Sequence, residues 1–213
     1  MPVVDTRVVP IAGGGVPGVL ANPFGMRGVI RPVTDDQWPA AAELAARVLA
    51  HIHTYAGDDP AVQLAAALDA YRALPREHDV VLGAFEDERL LGMARAVEPG
   101  HCWCVGIEDE GPGGDPSDEA ILAHRRWLRR HHPAEPHWWL GPVGVEPQAQ
   151  GRGVGTELLR KLLGTIHGRG GGEIRLEAEP RAVALYERLG FEVVDSDADP
   201  DGVVFALMRR RVA

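Results

Sequence analysis

Cysteine is scarce in this chain of 213 residues, which contains only Cys102 and Cys104. Two cysteines are too few for the disulfide framework of a secreted protein of this size, so a cytoplasmic location is predicted. In a strand, both side chains would point to one face about 6.6 Å apart, a strained span for a disulfide. His101 adjoins them, but no second group of ligands has suitable spacing, so no metal is predicted.

Long apolar runs and an excess of positive charge are also missing. No segment approaches the roughly 18 apolar residues of a membrane-spanning helix, so no membrane partner is expected. Residues 1–27 are interrupted by proline and glycine and make a poor signal peptide. We predict a flexible or irregularly packed leader there, followed by one domain over residues 28–213. The net charge of −9 argues against an extended phosphate-binding surface, and hence against a nucleic-acid partner.

Strand-like and helix-like periodicities alternate along the rest of the chain, which predicts a single α/β (α+β) domain. Predicted in order are a strand at 29–33, a helix after Thr34, a helix from Pro60, a hairpin over 80–97, a loop over 98–116, a helix over 120–130, a strand at 137–145, a helix over 156–166, a strand at 173–178, a helix over 180–190, and strands at 191–194 and 203–208.

The strand at 137–145 contains an internal Gly141-Pro142 pair. Glycine and proline inside a strand predict a bulge or a bend. Trp138 and Trp139 should point to opposite faces, because side chains alternate along a strand. At most one of them is therefore expected to line a cleft.

A glycine-rich turn, Gln150 to Thr156, joins this strand to the following helix. Backbone N–H groups converge at the positive end of a helix, so the turn is predicted to bind an anion. It lacks the Gly-Lys-Ser/Thr ending of a P-loop, and in neither register does it match Gly-x-Gly-x-x-Gly.

The pattern that fits is Gln-x-x-Gly-x-Gly, formed by Gln150, Gly153 and Gly155 directly after Val143–Pro147. Together with Leu176-Glu177-Ala178 and the segment Leu185–Phe191, it resembles the GCN5-related N-acetyltransferase (GNAT) family. The resemblance covers about residues 28–210. It implies a mixed, mostly antiparallel central sheet flanked by helices.

The resemblance also implies acetyl-CoA, or another acyl-CoA, as co-substrate. Its pantetheine would pair with the backbone of Val143 and Val145, and Tyr186 occupies the position of the family's general acid. The pyrophosphate of the acyl-CoA would lie on the turn formed by Gln150, Gly151, Arg152, Gly153, Val154, Gly155 and Thr156.

Direct acyl transfer requires a neutral amine, so a base must accept the amine's proton. Glu177 and His137 are candidate bases, although a solvated strand-end carboxylate and a surface histidine would look the same in sequence. Tyr186 could instead serve only in packing. One departure from the family is Glu179, which stands where many relatives carry asparagine.

These features predict an N-acetyltransferase that moves a short acyl group directly to a primary amine of a small molecule or peptide. A non-catalytic acyl-CoA-binding module is the alternative, because Glu179 departs from the asparagine that many family members carry at this position. A nucleotide-binding domain is a third reading, and it predicts stabilisation by ATP or NAD. The family also suggests a homodimer, while the acceptor cannot be read because acceptor loops vary.

Overall fold

The computed structural model describes residues 28–53, 56–102 and 119–213. The leader predicted for residues 1–27, Cys104, and residues 103–116 of the predicted loop lie outside the described residues. Within those ranges the strands are β1 (Val29–Pro32), β2 (Asp79–Glu86), β3 (Arg89–Val97), β4 (Trp138–Val145), β5 (Gly172–Ala178), β6 (Glu192–Ala198) and β7 (Val204–Val212). The α-helices are α1 (Trp38–Leu49), α2 (Pro60–Arg72), α3 (Glu119–His131), α4 (Val154–Gly168) and α5 (Pro180–Glu187).

All of these strands belong to one open sheet in the order β1-β2-β3-β4-β5-β7-β6. The β4–β5 pair is parallel, and the other neighbouring pairs are antiparallel. The α4 helix makes the crossover between the two parallel strands, as parallel pairing requires. The predicted mixed, mostly antiparallel sheet is confirmed.

The helices cover both faces of this sheet. On one face, α4 buries Leu158, Leu162 and Ile166 in the larger core, and α5 adds Tyr186 beside them. On the other face, α1 buries its alanine and leucine stripe against alternate residues of β2 and β3. We call these the α4 face and the α1 face. Alternation along each strand therefore decides which side chains meet which helices.

Local signals explain where several helices begin and end. The turn before α1 is closed by Gln37, whose side-chain oxygen accepts the N–H of Thr34 at 3.3 Å. Asp59 caps α2 by accepting the N–H of Ala61 at 2.8 Å. After α4 the chain turns at Gly171, with φ +69°, where a side chain would collide with the carbonyl of Val212. Only glycine fits that position.

The last two strands are longer than predicted, with β6 running to Ala198 and β7 to Val212. The β6 sequence is polar and exposed, so it carries little strand signal of its own. Pairing with β7 along its length makes it a strand. The helix expected after Thr34 begins at Trp38. No helix among the described ranges has the length and apolar character needed to cross a bilayer.

Candidate active site

The parallel strands β4 and β5 pair only at Trp138 with Ile174 and at Trp139 with Arg175. Beyond those pairs both strands continue, β4 to Val145 and β5 to Ala178. The sheet is therefore open between the carboxyl ends of its two central strands. We call this gap the β4–β5 opening.

The break at Gly141 and Pro142 accounts for the separation. Ala94 of β3 pairs with Val143 and Ala96 pairs with Leu140, so two residues of β4 face one of β3. Such a bulge bends its strand. The bend predicted from Gly141-Pro142 is confirmed, and it turns β4 away from β5.

Backbone groups of Val143 and Val145 point into the β4–β5 opening. The N–H of Glu146 donates to the Leu91 carbonyl of β3 at 2.8 Å. Because groups alternate along an antiparallel ladder, Gly144 also faces β3, and the two valines face the opposite side. The Val145 carbonyl accepts a bond from the side-chain amide of Gln150 at 3.0 Å. A ligand in the opening can therefore pair with Val143.

The glycine turn lies at the same end of the sheet. Gly151 and Gly153 have φ of +72° and +79°, a conformation that favours glycine. Gly153 precedes α4, and the first N–H with an acceptor in the helix is that of Glu157. Across the described chain, the N–H groups from Gly151 to Thr156 have no acceptor. They form a set of free donors at the positive end of a helix, which suits a phosphate.

Arg152, which belongs to the predicted phosphate turn, pairs with Glu86 of β2 at 2.9 Å. Both side chains are partly exposed. Exposed pairs of this kind contribute little to stability, so the guanidinium can exchange its partner readily.

Tyr186 lies on the α4 face, close to this turn. Its ring packs edge-on against Phe191 at 5.6 Å between centroids. Leu185 beside it lies 3.9 Å from the place where a side chain on Gly155 would project. Burial raises the pKa of the Tyr186 hydroxyl above its usual range, and the Glu179 carboxylate adds to the shift. The phenol therefore holds its proton at neutral pH.

Glu177 lies on the α1 face, in the part of β5 that has no β4 partner. Its Oε1 atom is inaccessible to solvent and has no hydrogen-bond partner in the described part of the chain. Burial raises the pKa of Glu177 to about 8, and Cys102 adds to the shift. A carboxyl group that titrates near neutral pH is suited to accept a proton. Glu177 as a whole is half-buried and stays a predicted base.

His137, the other predicted base, is not brought together with Tyr186 and Glu177. It precedes the paired residue Trp138, so it lies about four residues, or roughly 13 Å, from Glu177 along the β5 direction. It is buried rather than on the surface. One ring nitrogen, Nδ1, lies 2.8 Å from the Glu135 carbonyl oxygen.

The glutamate that replaces the family's asparagine is held by two basic groups. Glu179 contacts His51 at 2.5 Å and accepts a bond from Arg181 at 2.8 Å. His51 belongs to the 3₁₀ turn Ala50–Ile52 after α1, and Arg47 of α1 pairs with Glu146 at 2.5 Å. These two pairs connect the end of α1 to both sides of the β4–β5 opening. Sequence reasoning missed them because the partners are distant in the chain, 128 positions apart for His51 and Glu179.

The two tryptophans of β4 point to opposite faces, as predicted. Trp138 belongs to the core under α4, and Trp139 packs with Val97 and Leu128 of α3 on the other face. Among the residues that the structure places, no cluster of His, Cys, Asp or Glu could hold a metal ion.

An opening between strands beside a helix start with free N–H groups defines a site for an elongated ligand that bears phosphate. The profile of the Acetyltransferase (GNAT) family matches residues 47–191, which is more than half of the chain. The chain belongs to that family.

Curated relatives match parts of the chain. Serotonin N-acetyltransferase 2, chloroplastic, from Oryza sativa subsp. japonica is 38% identical over 73 residues, covering 33% of this chain and 34% of the rice protein. Mycothiol acetyltransferase from Beutenbergia cavernae is 32% identical over 146 residues, covering 67% of this chain and 45% of that protein. The chain thus spans between about a third and a half of these relatives.

Solved structures share the fold over most of the chain. The crystal structure of histone acetyltransferase HPA2 and related acetyltransferase from Corynebacterium glutamicum superposes with a TM-score of 0.64. The match covers 88% of this chain and 98% of that one at 24% identity, which establishes likeness of fold alone.

Proposed function

We propose that residues 28–213 form an N-acetyltransferase that moves an acetyl or other short acyl group from acyl-CoA directly to a primary amine of a small molecule or peptide. The observation that carries the proposal is the position of the free N–H groups from Gly151 to Thr156 at the same end of the sheet as the β4–β5 opening. The family match supports the same donor.

The two faces of the sheet would then have separate tasks. On the α4 face, the glycine turn binds the diphosphate of CoA, while Val143 and Val145 direct the pantetheine arm into the opening. On the α1 face, the acceptor amine approaches Glu177. The thioester carbonyl lies between them, where the strands have separated. Such placement accelerates reaction by holding both reactants in position.

Proton movement would follow from the two titratable groups. Glu177 accepts a proton from the amine as the nitrogen attacks the thioester carbon and the carbon–sulfur bond breaks. Tyr186 donates a proton to the departing thiolate. The raised pKa of Tyr186 makes this donation uphill toward a thiolate whose conjugate acid lies near about 8.5. The expected benefit of Tyr186 is therefore modest.

A non-catalytic acyl-CoA-binding module is the second candidate, and the contact of Glu179 with His51 and Arg181 favours it. Those contacts join α1 to the end of β5 and could restrict the entry of an acceptor. Measuring thiol release from acetyl-CoA across a panel of amines, together with CoA binding by calorimetry, separates the two. Acceptor-dependent release is expected. CoA binding without release for any amine would favour the module, and absence of CoA binding would overturn both.

A further inference from the structure

The connection between β3 and β4 is far longer than its ends require. The two strands are antiparallel neighbours, and a hairpin of a few residues would join them. Instead residues 98–137 intervene and carry α3. Connections beyond about 15 residues are uncommon in compact domains unless they have a function.

The α3 helix lies on the α1 face, over the β6–β7 hairpin. Trp127 packs on Phe205 at 5.4 Å between ring centroids and donates to Asp197 Oδ2 at 3.1 Å. Leu128 packs with Trp139 of β4. The helix therefore covers the side of the sheet from which an acceptor would approach Glu177.

Between the end of α3 and the sheet is a cavity of about 250 Å³. Its lining includes Arg130, His131, Trp139, Arg175, Asp195 and Leu207. Trp139 and Arg175 are the last pair before β4 and β5 separate. A small molecule in the cavity would thus lie directly beside the β4–β5 opening.

Basic groups in the cavity retain unused hydrogen-bond donors. Arg130 is exposed and has no ion-pair partner among the residues placed by the structure. Arg175 uses its Nε for Glu173 at 2.6 Å, and its two terminal nitrogens have no further acceptor in the described chain. The planar guanidinium group matches the two oxygens of a carboxylate or phosphate.

His131 and the acidic residue Asp195 also line the cavity. The His131 Nδ1 lies 2.8 Å from the Trp127 carbonyl oxygen, and its Nε2 lies 3.1 Å from Asp197 Oδ2. His131 is thus engaged with its own helix and with Asp197, and the unused donors in the cavity lining are those of Arg130 and Arg175 within the described chain.

Glu177 is the group that would face the amine end of a ligand bound in the cavity. Glu177 lies two residues from Arg175 on the same side of β5, a separation of about 6.6 Å along the strand. Its Oε1 has no hydrogen-bond partner among the residues whose positions the structure gives. A carboxyl group and a guanidinium group at this separation match a ligand with an amine at one end and an anion at the other.

We propose that the acceptor carries an anionic group, carboxylate or phosphate, which Arg130 and Arg175 bind while the amine faces Glu177. The inference rests on the proposed function and narrows its acceptor class. It assigns the end of α3 a role in selecting the acceptor.

The experiment compares β-alanine and phosphoethanolamine with propylamine and putrescine, measuring kcat/KM by thiol release from acetyl-CoA. The two anionic amines are expected to exceed propylamine by roughly 10- to 100-fold, as charge-assisted bonds predict. Arg130→Gln should bring this ratio close to one, mainly through KM, and Arg130→Glu should shift the preference to putrescine. Arg72→Gln, which removes the same charge from an exposed pair on α2, should keep the wild-type ratio.

Equal or better use of propylamine by the wild-type protein would overturn the inference, as would a preference that survives Arg130→Glu. Calorimetric binding of the same amines to the protein saturated with CoA tests the pocket without turnover. Selective binding of the anionic amines with no thiol release would refute the transfer reaction and leave the pocket assignment standing. Equal binding of the anionic and the other amines would refute the pocket assignment, whatever the rate of thiol release.

Discussion

Glu177 is the residue whose titration links the structure to a pH profile. As a base it acts only when deprotonated, and burial raises its pKa to about 8. The value of kcat/KM should therefore rise more steeply with pH below 8, where both Glu177 and the acceptor amine lose protons, than above 8, where the amine alone does.

Glu177→Gln removes this group with little change in shape. We expect the variant to lose at least about 100-fold in kcat/KM at pH 8, as removal of a general base does. Its profile should also lose the inflection near 8 and follow the acceptor amine alone. An unchanged inflection in the variant would assign the base to another group.

Tyr186 can be tested by Tyr186→Phe, which removes only the hydroxyl and keeps the packing on Phe191. Turnover should fall by about 100-fold, the lower end of general acid catalysis, because the buried phenol is a weaker acid than the thiol. CoA affinity measured by calorimetry should stay within about twofold. Unchanged turnover would leave Tyr186 a packing role only.

At the same scale, the sequence predicted the glycine turn because its signal lies in adjacent residues, whereas the family resemblance supplied the roles of Val143 and Val145. The sequence could not show that His137 is about 13 Å from Glu177 in strand register. Nor could it show the bond from His51 to Glu179, since partners in different elements leave no local spacing signal. The roles of these side chains remain predictions.

Among the elements, the strong periodicities of α4 and of β2–β3 were readable, and their predicted positions match the structure closely. The β6 strand was predicted too short because its Asp-Ser-Asp sequence lacks strand propensity, and pairing with β7 supplies the stabilisation. The crossover at α4 accounts for the parallel β4–β5 pair, and Gly141-Pro142 predicted the bulge opposite Arg95.

The start of α4 depends on glycine, which gives a test at the level of the element. Gly153→Ala forces a side chain into a φ of +79°, which should reduce stability by about 1 kcal/mol. It also disturbs the N–H groups of the turn, so CoA affinity should fall about tenfold. Gly164→Ala, in the same helix with open space around it, should raise stability by about 0.5–1 kcal/mol and leave CoA affinity unchanged. Equal CoA affinity in both variants would contradict the phosphate role of the turn.

The bulge of β4 lies over a buried ion pair that sequence reasoning missed. Arg95 is 2% exposed, donates to Asp79 at 2.7 Å, and reaches the Pro75 carbonyl at 2.7 Å. Asp79→Ala leaves that guanidinium buried without its counter-charge, so urea denaturation should show a loss of about 3–5 kcal/mol. Glu43→Gln breaks an exposed pair and should cost less than about 1 kcal/mol. Comparable losses in the two variants would show that Arg95 finds another partner or water.

At the scale of the whole molecule, a ligand in the β4–β5 opening would connect halves of the sheet that contact each other through two residue pairs. CoA would bind the folded chain only, since its groups come from β4, the turn and α4. At 100 times its Kd, CoA should stabilise folding by about 2.7 kcal/mol. For a domain of this size, that corresponds to an increase in Tm of about 5–10 °C, measurable by scanning calorimetry.

ATP and NAD serve as controls because they share phosphate and adenosine with CoA but lack the pantetheine arm. If the glycine turn alone determined binding, all three ligands would raise Tm similarly, because its N–H groups would bind any diphosphate. If the opening contributes through Val143 and Val145, CoA should give the larger shift, and Gly153→Ala should reduce it. Equal shifts with ATP would indicate a general nucleotide site and contradict a ligand that extends between the strands, since nothing in a nucleoside triphosphate can replace the pantetheine amides there.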